Sequence, residues 1–167
     1  MSNHRIIKNL PVERWAEYKK IRLMSLKDDP DAFSATYKEE SDWSDQKWED
    51  NLATKDLFFI EHESEIVGMS SVHFYTKPRF NHNAYMQALY VNKNYRGRGF
   101  ATLLIQEVID DIKKNSNVKN IISEIFESQE SSILLHKKVG FKEVGRIEAF
   151  VNNKGIYSDN IYMQMSL

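Results

Sequence analysis

Ala84-Tyr85-Met86-Gln87-Ala88-Leu89-Tyr90-Val91, then Asn92-Lys93-Asn94-Tyr95, then Arg96-Gly97-Arg98-Gly99 and Phe100-Ala101-Thr102-Leu103-Leu104-Ile105, is the stretch from which the rest of the chain can be read. Its first run carries apolar residues on both alternating faces, Ala84, Met86, Ala88 and Tyr90 on one and Leu89 and Val91 on the other. That is the pattern of a strand covered on both sides. After the glycines the period changes: Phe100, Leu104 and Val108 fall four residues apart, as do Ala101, Ile105 and Ile109, and Ile112 extends the stripe. Gln106, Asp110, Lys113 and Lys114 stay polar, so the spacing predicts an amphipathic helix. The whole stretch reads as strand, turn, glycine loop and helix.

A helix that opens on glycines at the end of a strand turns unpaired backbone N–H groups and the positive end of its dipole toward whatever lies beyond the strand. It is an anion site. Gly97 and Gly99 have no Cβ to hold a phosphate off the main chain, and Arg96 and Arg98 can add charge-assisted bonds to phosphate oxygens. A tight turn with two solvated arginines fits the same residues, because a short Gly-x-Gly is a weak signal by itself. A P-loop requires Gly-Lys-Ser/Thr, and Gly99 is followed by Phe100. A dinucleotide fingerprint requires a third glycine where Thr102 stands.

Arg96-x-x-Gly99-x-Ala101 resembles the Gln/Arg-x-x-Gly-x-Gly/Ala signature of the GNAT N-acetyltransferase superfamily, whose loop holds the pyrophosphate of acetyl-coenzyme A. The preceding Leu89-x-Val91-x-x-x-Tyr95-Arg96-Gly97-Arg98-Gly99 spacing is similar too. A second stretch, Gln129 to Phe141, resembles the family's Asn-x-x-Ala-x-x-Leu-Tyr-x-Lys-x-Gly-Phe, with Gln129 for Asn, Ser132 for Ala and His136 for Tyr. The phosphinothricin-type acetyltransferases look similar there, with Leu-His before the Gly-Phe.

The resemblance implies a site. Leu89, Tyr90, Val91, Arg96, Gly97, Arg98, Gly99, Ala101, Thr102, Gln129, Ser132 and His136 would hold acetyl-coenzyme A as cosubstrate. The Leu89 N–H would serve as oxyanion donor. His136 would protonate the departing thiolate in place of the family's Tyr, a role an imidazole with a reference pKa of about 6.5 can fill. A structural reading of His136, packed near the end of a short helix and bonded to backbone, stands beside that one. Tyr37, Glu40 and Gln87 fall on the acceptor side. Gln87 occupies a position where several relatives place an acid, which leaves water, Glu40 or another pocket residue to take the amine's proton.

Composition narrows the classes. The chain has 167 residues, enough for one domain with a sizeable core, and one N-acetyltransferase domain over 1–167 is the expectation. Lys and Arg total 23 against 24 Asp and Glu, a net charge of -1 that speaks against nucleic acid as partner. With no cysteine there is no disulfide, thiolate metal site or cysteine acyl-enzyme, and no Gly-x-Ser-x-Gly elbow offers a serine one. His4, His62, His73 and His82 show no metal-ligand spacing, so no metal is expected. No apolar run reaches membrane-spanning length, which makes a cytoplasmic protein without membrane partners the expectation, with a homodimer possible.

Taken in order, His4–Asn9 predicts a first strand, and Pro11 opens a helix with Val12, Trp15, Ala16, Leu23 and Leu26 on one face, stopped by Asp28-Asp29-Pro30. Ser44 caps a second helix carrying Trp48 and Leu52. The acids Glu39, Glu40, Asp42 and Asp45 read either as a solvated surface or as an attractor for a cationic acceptor. Two strands around His62-Glu63-Ser64, the strand Val118–Phe126, a helix capped by Ser128 and ended by Gly140, and a hairpin turning at Asn152-Asn153-Lys154-Gly155 complete the chain. The order β-α-α-β-β-β-α-β-α-β-β matches what the resemblance implies: an α+β fold with a mixed, mostly antiparallel sheet of about seven strands and four helices. Its function would be direct acetyl transfer to a primary amine of a small molecule or peptide through a tetrahedral intermediate. An acyl-coenzyme A sensor without turnover, and a dinucleotide-binding protein lacking its third glycine, are the other readings.

Overall fold

The computed structural model describes residues 4–167. Five α-helices and seven strands form the α+β fold the sequence predicts, with one helix more than expected: β1 (His4–Lys8), α1 (Trp15–Asp28), α2 (Tyr37–Ser41), α3 (Asp45–Thr54), β2 (Asp56–His62), β3 (Glu65–Phe74), β4 (Asn83–Val91), α4 (Phe100–Lys113), β5 (Asn120–Phe126), α5 (Glu130–Lys138), β6 (Lys142–Asn153) and β7 (Ile156–Ser166). The strands run in the order β1-β2-β3-β4-β5-β7-β6. β1 with β2, β2 with β3, β5 with β7 and β6 with β7 pair antiparallel, and β4 with β5 pairs parallel. Among the described residues no helix is long and apolar enough to cross a membrane.

The chain divides into two compact units. The first joins residues 4–73 to residues 88–108. There β2 and β3 form a hairpin whose turn, Glu63-Ser64, has positive φ at both positions (50° and 66°), the backbone of the tight turns that match strand twist. β2 alternates its large side chains between two faces. Leu57 and Phe59 pack with Tyr18, Ile21, Trp48, Leu52 and Met69, whereas Ile60 joins Val67, Val91 and Phe100. Tyr18 meets Trp48 and Phe59 edge-on, with ring centroids 5.4 and 5.9 Å apart.

That packing keeps most of the expected face of α1, with Leu26 buried and Trp15 and Leu23 packed against the same cluster, and changes its ends. Tyr18, Ile21, Ser25 and Leu26 are the buried residues, whereas Val12 and Ala16 are exposed and a short 3-10 turn, Val12–Arg14, precedes the helix. Tyr18 and Ile21 widen that face beyond the expected stripe, Tyr18 through its edge-on contacts with Trp48 and Phe59. The additional helix, α2, starts at a capping box: the Thr36 side chain accepts from Glu39 N–H while the Glu39 carboxylate accepts from Thr36 N–H. Ser44 caps α3 as expected, accepting from Lys47 N–H. Gly68 lets β3 lie close to β4, because a Cβ there would come within 2.8 Å of both Ile60 Cγ2 and the Tyr90 carbonyl oxygen.

The second unit joins residues 74–87 to residues 109–167. β7 pairs along its length with β5, from Asn120 opposite Ser166 to Phe126 opposite Asn160, and on its other side with β6. The β6–β7 register shifts between Ile147 and Val151, where Ala149 has φ 50° and its N–H bonds Asp159 Oδ1. The parallel ladder of β4 and β5 covers only Asn83, Ala84 and Tyr85, opposite Asn120, Ile121 and Ile122. Ser128 does not cap α5; Gln129 holds the N-cap position, without a side-chain cap bond.

Candidate active site

In the first unit, β4 changes direction at Ala88, a non-glycine residue at φ 57°, before Leu89, Tyr90 and Val91. A 3-10 turn, Lys93–Tyr95, follows, held by Asn92, whose Oδ1 accepts from Asn94 N–H and whose own N–H bonds the Val67 carbonyl. Gly97 and Gly99 then take φ 76° and 82°, and a Cβ on either would meet no protein atom within 4 Å. The first amide bonded back from the helix is Leu103 N–H, to Gly99 O at 3.0 Å. Among the described residues the amides from Gly97 to Thr102 take no carbonyl partner, so the loop combines open space with unused donors. A pyrophosphate fits that donor set.

The two arginines behave differently from the simplest expectation. Arg96 donates through Nε to the Val91 carbonyl at 2.9 Å and through Nη2 to Asp29 Oδ2, so its guanidinium anchors the loop. Lys93 Nζ bonds the Asp28 carbonyl at 2.7 Å, and Tyr90 OH donates to Asp28 Oδ2 at 2.7 Å. Burial, then the bond to Asp28, pushes the Tyr90 phenol well above its ordinary range, which keeps it a donor. Arg98 stacks over Tyr95, its guanidinium carbon 5.2 Å from the ring centroid. Asp28 and Asp29, which the sequence offered only as a helix stop, are thus the residues that fix the loop.

The acceptor-side expectations fall on α1, α2 and β4. Glu40 is 5% exposed, and Arg22 holds both its oxygens, Nε to Oε2 at 2.8 Å and Nη2 to Oε1 at 2.7 Å. Its neighbours are also committed, Glu39 to the cap and Asp45 to Lys19. Tyr37 opens α2, half exposed, and Gln87 is exposed on β4.

In the second unit, His136 is 2% exposed on α5. Its Nδ1 lies 2.8 Å from the Ser132 carbonyl, which can only accept, so Nδ1 carries the hydrogen and Nε2 holds the lone pair of the neutral ring. Nε2 is buried without a partner among the described residues, and Phe141 packs edge-on with centroids 5.0 Å apart. Burial pushes the imidazole pKa down, against a smaller opposite effect of the Ser132 bond. Gln129, half-buried, donates to Ser128 Oγ at 3.4 Å.

The same unit holds a polar group that the sequence reading missed. Glu124 on β5 is exposed yet accepts from the Asn160 amide at 3.1 Å, and burial, then the Glu124 charge, pushes the Tyr85 phenol above its ordinary range. Its signal was a single acid between Ile122 and Phe126 on one face of a strand whose other face, Ile121, Ser123 and Ile125, is buried. Among the described residues no group of three or more His, Asp or Glu side chains converges as a metal site.

Residues 22–141 match the family model described as the acetyltransferase (GNAT) family. The chain is similar to the SPbeta prophage-derived uncharacterized N-acetyltransferase YokL of Bacillus subtilis, 28% identical over 124 residues that cover 72% of this chain and 68% of that protein. It is similar to the L-amino acid N-acetyltransferase AaaT of Escherichia coli, 27% identical over 124 residues, 72% and 75% of the two chains. Its fold is that of the yncA protein of Salmonella typhimurium, solved with its cofactor acetyl-CoA, with a TM-score of 0.78 and 18% identity over 99% of this chain and 94% of that one. With 120 of its 167 residues inside the family match, this chain is an N-acetyltransferase of the acetyltransferase (GNAT) family.

Proposed function

We propose that this protein moves an acetyl group from acetyl-coenzyme A directly to a primary amine of a small molecule or peptide. The observation that carries the reading is the loop at Gly97 and Gly99, with both glycines at positive φ, open space at both Cβ positions and unused amides running into α4. The thioester supplies an activated carbonyl, and attack by the neutral amine gives a tetrahedral oxyanion before the thiolate leaves. The amides of the loop take the pyrophosphate, with Ala101 and Thr102 in the first turn of the helix. Leu89, just past the turn at Ala88, offers its N–H to the oxyanion, and Tyr90 and Val91 align the pantetheine arm.

His136 serves the leaving group in the same proposal. With Nδ1–H committed to Ser132, Nε2 first takes up the proton that the attacking amine releases as the tetrahedral intermediate forms and then passes it to the departing thiolate, so the role requires a transient imidazolium that burial opposes and the thiolate's charge favours. Gln129 and Ser132 line the same stretch. Glu40 does not act as the base in this scheme, because Arg22 occupies its carboxylate.

The test is amine-dependent release of free thiol from acetyl-coenzyme A over a panel of amino acids, polyamines, aminoglycosides and peptide N-termini. Saturable release with at least one amine, with product mass increased by an acetyl group, is the expected result. Tight acetyl-coenzyme A binding without turnover on any of them would overturn the proposal.

A further inference from the structure

β6 pairs with β7 and ends the sheet. None of its 12 residues is buried. The register shift after Ile147 sets off the rest of the hairpin as an arm, in which Val151, Asn152 and Asn153 resume pairing with Ser158, Tyr157 and Ile156. Four large apolar side chains stand out on or beside that arm: Ile147 at 41% exposure, Phe150 at 57%, Ile156 at 74% and Tyr157 at 62%. Ile156 and Tyr157 are successive in β7 and so point to opposite faces of the hairpin. Soluble proteins seldom leave so long and apolar an edge uncovered, because its free N–H and C=O groups and its side chains together make a template for another strand.

Whatever covers the arm has to supply backbone donors and acceptors as well as apolar surface. A lipid layer supplies only the second, and covering Ile147 and Phe150 with it would strip water from strand groups left unbonded. A helix or a flat surface laid on the hairpin covers one face only. A second β6 meets both needs, and the arm is self-complementary to it. Glu148 and Lys154 lie three residues before and three after Val151, both are exposed, and neither has a hydrogen bond or ion pair among the described residues. An antiparallel pair with its two-fold axis at Val151 sets Glu148 of each copy opposite Lys154 of the other, and Ile147 opposite Gly155, beside Ile156. The nearest other cation on the strand, Arg146, is already paired with Glu127, Glu143 and Asp159. At these exposures the four apolar side chains offer on the order of 100 Å² each, so two copies bring together about 800 Å², and the strand atoms between them carry the contact toward the ~1,200 Å² at which specific interfaces begin.

We propose that the β6–β7 arm is a self-association surface, through which two copies of this chain pair antiparallel along β6 about an axis at Val151. The contact lies wholly within the second unit of each copy and uses none of the residues assigned to acetyl-coenzyme A, so pairing and acetyl transfer are tested separately.

The test is sedimentation velocity of the full chain over a concentration series at low ionic strength, where the wild type should pass from monomer to dimer. Glu148→Lys and Lys154→Glu each set like charges opposite one another twice, and each should weaken the dimer by roughly tenfold or more. Both positions are exposed and unpaired, so far-ultraviolet circular dichroism of the variants should match the wild type. Mixed in equal amounts, the two variants should dimerise with each other, because an arm with two positive charges then meets an arm with two negative ones. A wild type that stays monomeric, single variants that dimerise as tightly as the wild type, or a mixture that stays monomeric would each overturn the proposal. So would a wild-type monomer that cosediments with phosphatidylglycerol vesicles, which would make the arm a lipid contact.

Discussion

Replacing Gly97 or Gly99 by alanine separates the conformational cost of the loop from its role in binding. Both residues sit at positive φ, and nothing in the protein lies within 4 Å of the added methyl. The unliganded protein therefore meets no clash and bears only the left-handed backbone penalty, roughly 1–2 kcal/mol. For a chain of this size that lowers Tm by about 2–8 °C. Gly155, in the β6–β7 turn at φ 90° with equally open surroundings, provides the matched control with the same penalty. What distinguishes the loop is the ligand: a methyl that holds the pyrophosphate off one amide removes a charge-assisted bond worth about 1.5–3 kcal/mol. Acetyl-coenzyme A affinity should fall roughly ten- to a hundred-fold in Gly97→Ala and Gly99→Ala and stay unchanged in Gly155→Ala. Isothermal titration calorimetry beside thermal melts reads both quantities. Equal affinities across all three variants, with the Tm losses as expected, would refute the assignment of the loop as the phosphate cradle.

The buried imidazole makes stability depend on pH: the folded pKa of His136 lies below its unfolded value of about 6.5, so the unfolded chain binds more protons in between and stability falls as pH drops through that window. His136→Phe should flatten that slope in denaturant melts and, if Nε2 supplies the thiolate's proton, lower kcat by roughly a hundred- to ten-thousand-fold with acetyl-coenzyme A affinity unchanged; a fully active variant refutes the acid role. Arg22→Met should cost about 3–5 kcal/mol by stranding the buried Glu40 carboxylate, and Arg22→Met with Glu40→Leu should recover most of it; chemical denaturation measures both, and additive losses would contradict the pairing.

What could be read in the sequence was local. The glycine pair, the 3.6-residue stripe of α4, the Ser44 cap and the Lys154-Gly155 turn are each determined by a few neighbouring residues, and each lies where the pattern put it. What could not be read depends on partners far along the chain. The Arg22 and Glu40 pair, 18 residues apart, turned a candidate base into a neutralised contact. Arg96 faces Asp29 across 67 residues, and Asn160 reaches Glu124 across 36, and no periodicity encodes such pairings. The place of Tyr18 on the packed face of α1 was illegible for the same reason, since the Trp48 and Phe59 rings it meets come from α3 and β2.

The anchoring of Arg96 has a kinetic consequence. A guanidinium already matched with Asp29 contributes little net field at the mouth of the loop, and Lys93 lies beside Asp28 in the same way. The loop therefore attracts a polyanionic ligand by short-range amide donors rather than by long-range steering, which leaves Arg98 as the loop's one arginine not paired with a carboxylate among the described residues. Association rates should accordingly change little with ionic strength, because screening weakens fields that extend beyond roughly 10 Å at 0.1 M salt and leaves contact bonds largely intact.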